Sequence, residues 1–322
     1  MIVNQFIFPD VFAVFDYLTK EKGWSFGFHT APQFEVMTLY DNRLTAAPMP
    51  MSPLFRGESE FHEKCLPSLF RREWTPLQKL ERQIQLEDFR LILQVNPEIK
   101  EMEDGGLEVN YNGLAQHYGI ETNILDLTNS FLVAAFFATT TYDPLMDVYR
   151  PILHTVSSGV IYFFPTGPFL NFGSDAPIWP IGMEALRRPG EQRGYGVEMD
   201  GRHRDLNHYH GGHIFRFWHT PQASIEIWKR TQGSVALFPY DPMTEKVRNM
   251  RKYKIYSEEG LRLAFDKVSA DISIDEARQE LERMGCTFVK KLPFAYTEKE
   301  IVYINNLFRK MYPGHFEQTK TD

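Results

Sequence analysis

The stretch Gly113–Thr139, GLAQHYGIETNILDLTNSFLVAAFFAT, decides how this chain is read. The polar cluster Gln116, His117 and Tyr118 precedes Gly119, and Asp126-Leu127-Thr128 leads into a long apolar run. Polar side chains set against a buried helix must be hydrogen-bonded or must do chemistry. A short helix is expected over 112–118, closed by Gly119, because glycine takes the left-handed conformation at little cost. A strand over 124–127 follows. Asp126, or Thr128 to Asn129, is expected to cap a buried helix over 131–140.

Two further polar islands flank this stretch. Upstream lies Phe55-Arg56-Gly57-Glu58-Ser59, and downstream lies RRPGEQRGYG at Arg187–Gly196. Three polar, glycine-containing islands in apolar surroundings point to one composite pocket. Arg56 emerges from an apolar strand, where a guanidinium can take a phosphate or carboxylate in bidentate fashion. Gly57 would let a ligand approach the backbone. The competing reading is a structural Arg56–Glu58 ion pair. His117 is either a proton carrier near neutral pH or a hydrogen-bonded structural residue. Asp126 and Thr128, two apart, share a strand face.

Composition narrows the function classes. The 322 residues carry a net charge of −7, with 43% hydrophobic and 24% charged residues, as in an ordinary globular protein. The acidic balance disfavours passive nucleic-acid binding, although Arg71-Arg72, Arg187-Arg188 and Lys246–Lys254 form local basic clusters. Aromatic residues reach 14%, enough for a phenylalanine-rich core or for rings lining a slot. Cys65 and Cys286 give neither a disulfide framework nor a zinc spacing, so a cytoplasmic setting is expected. His203, His208, His210 and His213 look metal-like, but no Cys or carboxylate completes a zinc spacing, and no metal is assigned. No apolar run suffices to span a membrane, and the opening MIVNQFIFPDVF lacks the basic start of a signal peptide.

Hydrophobic periodicity predicts helices over 9–22, 75–95, 221–229, 244–254, 271–284 and 296–311. Ser273 with Glu276, and Thr297 with Glu300, stand at capping-box spacing. The run SGVIYFFP, Ser158–Pro165, reads as a strand buried on both faces. Strands are also expected within 26–42, at 54–59, 213–218 and 234–238. Residues 46–53 read as a Pro/Met-rich connector, 96–108 as an acidic loop and 166–205 as irregular. The expected organisation is an N-terminal extension (1–50), a central domain (51–245) and a mostly helical C-terminal subdomain (246–322).

The islands, in this order, resemble the FRG domain family. The resemblance runs over Leu54–Pro242 and includes LPSLFRR at Leu66–Arg72, the central stretch, the R-x-x-x-Q-x-G pattern at Arg188–Gly194, and ALFPYDP at Ala236–Pro242. The block order is also similar to ADP-ribosyltransferases of the Arg/Ser-Thr-Ser/Glu type. That likeness implies an α+β fold with a mixed, largely antiparallel split sheet, flanking helices and a C-terminal helical extension. It implies NAD as substrate, with Arg56 and Gly57 holding the phosphates. Tyr118 or Phe136 would supply the nicotinamide slot, Thr128 a brace, and Asp126 a further contact. Glu191, with Gln192 beside it and His117 as proton carrier, would serve the chemistry. Leu125–Thr128 stands where Ser-Thr-Ser is usual, and Glu191–Gly194 lacks the Gln-x-Glu of that group. Asp126 or Glu198 is then the alternative carboxylate. The implied role is a bacterial toxin or phage-defence effector acting on RNA, DNA or protein, with a neutralising antitoxin as a further partner. The alternative is a non-catalytic module that binds a nucleotide or phosphorylated ligand.

Overall fold

A computed structural model describes residues 1–28, 34–38, 43–50, 52–144, 146–165, 177–181, 186–200, 205–209, 211–268 and 272–311. Its strands are β1 (Ile2–Phe8), β2 (Phe34–Thr38), β3 (Leu44–Pro48), β4 (Leu54–Glu58), β5 (Ile124–Thr128), β6 (Thr140–Asp143), β7 (Val148–Pro151), β8 (Ser158–Phe164), β9 (Ile178–Pro180), β10 (Gly194–Glu198), β11 (His213–Trp218), β12 (Ile255–Ser257) and β13 (Thr287–Val289). The α-helices are α1 (Val11–Asp16), α2 (Pro76–Gln94), α3 (Pro97–Asp104), α4 (Tyr111–His117), α5 (Phe131–Thr139), α6 (Arg187–Glu191), α7 (Pro221–Arg230), α8 (Pro242–Tyr253), α9 (Glu258–Lys267), α10 (Ile274–Arg283) and α11 (Glu298–Met311).

The chain divides into two units, each built from two chain segments. The first joins Met1–Arg71 to Asn123–Pro239, and the second joins Arg72–Thr122 to Tyr240–Asp322. The first holds a seven-stranded sheet in the order β1-β11-β8-β4-β5-β10-β9. Only β1–β11 is a parallel pairing; the rest of this sheet is antiparallel. The α+β class and the mixed, mostly antiparallel sheet agree with the expectation. Every residue of β8 is buried, as its unbroken apolar run requires.

The centre of the sheet is narrow. Strand β4 pairs with β8 along its whole length but with β5 only through Phe55 and Thr128. Helix α5 covers one face. Its residues are almost all buried, and its rings and alanines pack on Phe55, Ile161, Phe163 and Phe217. The opposite face is formed by Leu54, Leu125, Leu127, Tyr162 and Tyr195. Ser130 caps α5 by accepting the Val133 N–H. The cap is therefore neither Asp126 nor Thr128; the Thr128 hydroxyl instead accepts from Ser130 N.

In the second unit α2 carries the apolar face. Thr75 and Gln78 close a capping box at its start, and Leu80, Ile84, Phe89, Ile92 and Leu93 are buried. The capping boxes expected at Ser273–Glu276 and Thr297–Glu300 are both formed. Several local expectations fail. The acidic stretch after residue 96 is helix α3, started by the Asn96 cap and Pro97. The segment expected as a connector, 46–53, overlaps the end of β3, which pairs with β2. The segment expected as irregular contains β9, α6 and β10. The strand expected at 234–238 is instead the end of a 3-10 helix over Gln232–Ser234 followed by turn and bend residues at 235–238. Among the described residues no helix is long and apolar enough to cross a membrane.

Candidate functional site

Strand β4 sends alternate side chains to opposite faces. Phe55 and Gly57 face α5, while Leu54, Arg56 and Glu58 face the other way. Arg56 lies opposite Tyr162 in the register, and its Nε and Nη2 donate to Glu58 Oε1 at 2.9 and 2.8 Å. Its Nη1 donates to the Asp126 carbonyl at 2.8 Å, across the parting between β4 and β5. Cys65 Sγ lies 3.4 Å from the same Glu58 oxygen, and Cys65 N donates to Asp205. Tyr162 donates its hydroxyl proton to Asn207 at 3.0 Å.

The electrostatics follow from this burial. Desolvation opposes the Arg56 charge, but Glu58, with Cys65 and Asp126, outweighs it and holds the guanidinium protonated. Burial likewise works against the Glu58 carboxylate, and Arg56 more than compensates, drawing its pKa below the usual range. Burial, with Glu58 beside it, pushes the Cys65 thiol up to about 11, which keeps it protonated and unreactive. The ion pair weighed from sequence is therefore formed, and Arg56 is not a bare clamp. Three of its N–H groups are engaged and a guanidinium has five.

Gly57 has a packing role. A Cβ built there would stand 1.7 Å from the Ala134 carbonyl oxygen, so the backbone of α5 fills the space reserved for a ligand in the sequence reading. Phe136 is fully buried against Phe137, Tyr149 and Phe238, at centroid distances of 5.4, 5.2 and 6.2 Å. It is a core ring and offers no open slot.

Thr128, opposite Phe55, shares the α5 face, so its side chain and that of Arg56 stand on opposite faces of the sheet. The Thr128 hydroxyl donates to the Gln192 carbonyl at 2.8 Å, and Gln192 Nε2 donates to the Leu237 carbonyl at 3.0 Å. Gln192 is thus a buried tie at the end of α6. Glu191, one residue earlier, is partly exposed and lies 3.9 Å from Arg187. The Asp126 carbonyl meets Arg56, and Asp126 lies opposite Gly196 on β10. Glu198 accepts from Trp179 at 3.1 Å and Asn123 at 3.3 Å.

His117 and Tyr118 belong to the second unit. The Tyr118 ring packs on Phe89 at 5.8 Å and its hydroxyl bonds Asp241, so it is spent on structure rather than on a slot. His203 and His210 lie outside the described residues. Among the described residues no group of three or more metal-binding side chains forms.

Arg56 and the Asp126 carbonyl therefore meet at the β4–β5 parting, whereas Thr128 and Gln192 are tied together on the other face of the sheet, so the three islands do not converge on the single pocket expected from sequence. A sequence model of the FRG domain matches residues 52–145, the segment holding Arg56, Asp126 and Thr128. The chain carries an FRG domain. The match is shorter than the Leu54–Pro242 resemblance and lends no support to the likeness to ADP-ribosyltransferases. No curated protein and no solved structure matches the chain. Within the FRG domain, sequence reading gave Glu58 only as the competing partner of Arg56. Its position two residues along the same strand was the signal, because residues two apart share a face. Arg188, whose guanidinium lies 4.9 Å from the Phe238 ring centre, was visible as the first residue of the R-x-x-x-Q-x-G pattern.

Proposed function

We propose that the FRG domain binds a nucleotide where β4 and β5 part, with Arg56 as its phosphate contact. One arrangement carries this reading. A buried, permanently charged guanidinium sits where the ladder stops after one residue pair, with N–H groups beyond those used by Glu58 and Asp126. A phosphate is the ligand such a fork recognises best. NAD is the nucleotide that the order of motif blocks favours, and ADP-ribosyl transfer to a nucleic acid or protein is the activity it would serve. The biological role would be that of a bacterial toxin or phage-defence effector, held in check by an antitoxin. Glu191 is the carboxylate for that chemistry, because cleaving the nicotinamide–ribose bond builds positive charge on the sugar.

A second reading, a binding module without turnover, is favoured by Gly57, Phe136 and Gln192, whose groups are committed to packing and to backbone contacts. Calorimetry with NAD and ADP-ribose, paired with a nicotinamide-release assay, separates the two. Release that falls at least tenfold in Glu191→Gln supports the transferase. Binding without release supports the module, and absence of binding to either ligand removes both.

A further inference from the structure

In the second unit, three guanidiniums gather on the turn that follows α4. Gly119, at φ +83°, bends the chain there, and its carbonyl accepts from Arg251 Nη1 at 3.0 Å. Two residues on, the Glu121 carbonyl accepts from Arg82 Nη1 at 3.2 Å. Arg72 Nη2 lies 3.7 Å from the Glu121 carboxylate, with the two side chains 59% and 27% exposed. Two of the basic clusters noted in the sequence, around Arg72 and within Lys246–Lys254, therefore reach one turn, and α2 adds Arg82 to them.

Helix α2 has a charge asymmetry that its composition hides. Its acidic residues, Glu81, Glu87 and Asp88, are all buried, whereas Lys79 is exposed and Arg82 is half-buried. Lys79 stands three residues before Arg82, on the same side of the helix. Arg82 and Arg251 each give the turn one N–H of the five a guanidinium carries. Burial draws the Arg82 pKa down against the pull of Glu121, so an arriving anion would relieve a charge already short of solvent. Glu73, beside Arg72, is the other exposed carboxylate on this part of the chain. The Arg72 guanidinium also stacks on Trp74, 3.8 Å from the ring centre. A guanidinium held on an indole leaves its outer plane for a nucleobase.

We propose that this turn is a docking surface for single-stranded nucleic acid, with phosphodiesters on Lys79, Arg82 and Arg251 and a base stacked on Arg72. The net charge of −7 does not oppose a local patch, because folding removes the carboxylates of α2 from the surface. Positive charge beside a stacking plane is the combination that holds single strands. An acidic peptide would match the charge but brings no regular series of flat rings.

The test is fluorescence anisotropy of the full chain with labelled oligo-dT and oligo-U of about 15 nucleotides, in about 50 to 200 mM salt. Binding to at least one is expected, and the two arms tell DNA from RNA. The log–log salt slope should be about −2 or steeper, since each phosphate neutralised on a single strand contributes roughly −0.7. Arg72→Ala/Arg251→Ala should weaken binding at least tenfold, with melting curves establishing that the variant is folded. If it does not fold, Lys79→Glu, an exposed position off the turn, decides in its place by weakening binding at least threefold. No binding to either oligonucleotide, or a loss smaller than these, overturns the proposal. Equal or tighter binding of a duplex or of poly-glutamate overturns it too. The outcome is independent of NAD binding at the β4–β5 parting.

Discussion

At Gly57 a single hydrogen atom decides whether the sheet and helix α5 can meet. Any side chain there would collide with the Ala134 carbonyl, and backbone cannot move aside as a flexible side chain can. Gly57→Ala is therefore expected to cost at least about 3 kcal/mol or to prevent folding, read as a fall in melting temperature. Next to it, Arg56→Ala strands Glu58 in a poorly solvated position. The expected loss is about 3–5 kcal/mol, and an Arg56→Met/Glu58→Leu pair should recover much of it. A double-mutant cycle in urea measures both. Because the Glu58 pKa is depressed on folding, its contribution is present above the ordinary carboxylate pKa. It is lost as pH falls through the folded value.

Among the elements, α3 carries the clearest titration. Glu98 is buried in its first turn, and burial first, then the Asp241 and Glu101 carboxylates, raise its pKa from 4.5 to about 8. The unfolded chain releases this proton well before the folded one does. Stability from this group is full below pH 4.5 and drains away as pH rises to about 8. Glu98→Gln should remove that slope, gaining stability over the native chain at pH 8, as followed by chemical denaturation at several pH values. At α10, Ser273→Ala should cost about 1 kcal/mol through loss of its capping hydrogen bond, measured in the same way. Elements with local signals were legible. The Ser273 and Thr297 boxes and the apolar run of β8 each announce themselves within a few residues. Asn96-Pro97 gave an equally local start signal for α3, but its acidic composition was read as loop. Strand β10 owes its place to β5, far back in the sequence, and no periodicity marks it or the short strands β3 and β9.

For the whole molecule, the limit was pairing. Nothing in residues 54–59 tells which strand lies beside them, so the opposite placement of Arg56 and Thr128 emerges only from the register. The same is true of the interleaved chain path. Residues 72–122 form one unit with residues 240–322, and the apolar face of α2 is covered by α9. A chain ending at Pro239 should therefore expose Ile84, Phe89, Ile92 and Leu93, and associate. Size-exclusion chromatography and binding of a hydrophobic dye check this.

The one-pair join between β4 and β5 has a mechanical consequence. Tension drawn across the strands is shared by several rungs wherever the ladder is long, but at Phe55 and Thr128 it falls on one rung and the Arg56 guanidinium beside it. Under stretching, the seven-stranded sheet should tear there first, leaving a four-strand piece and a three-strand piece.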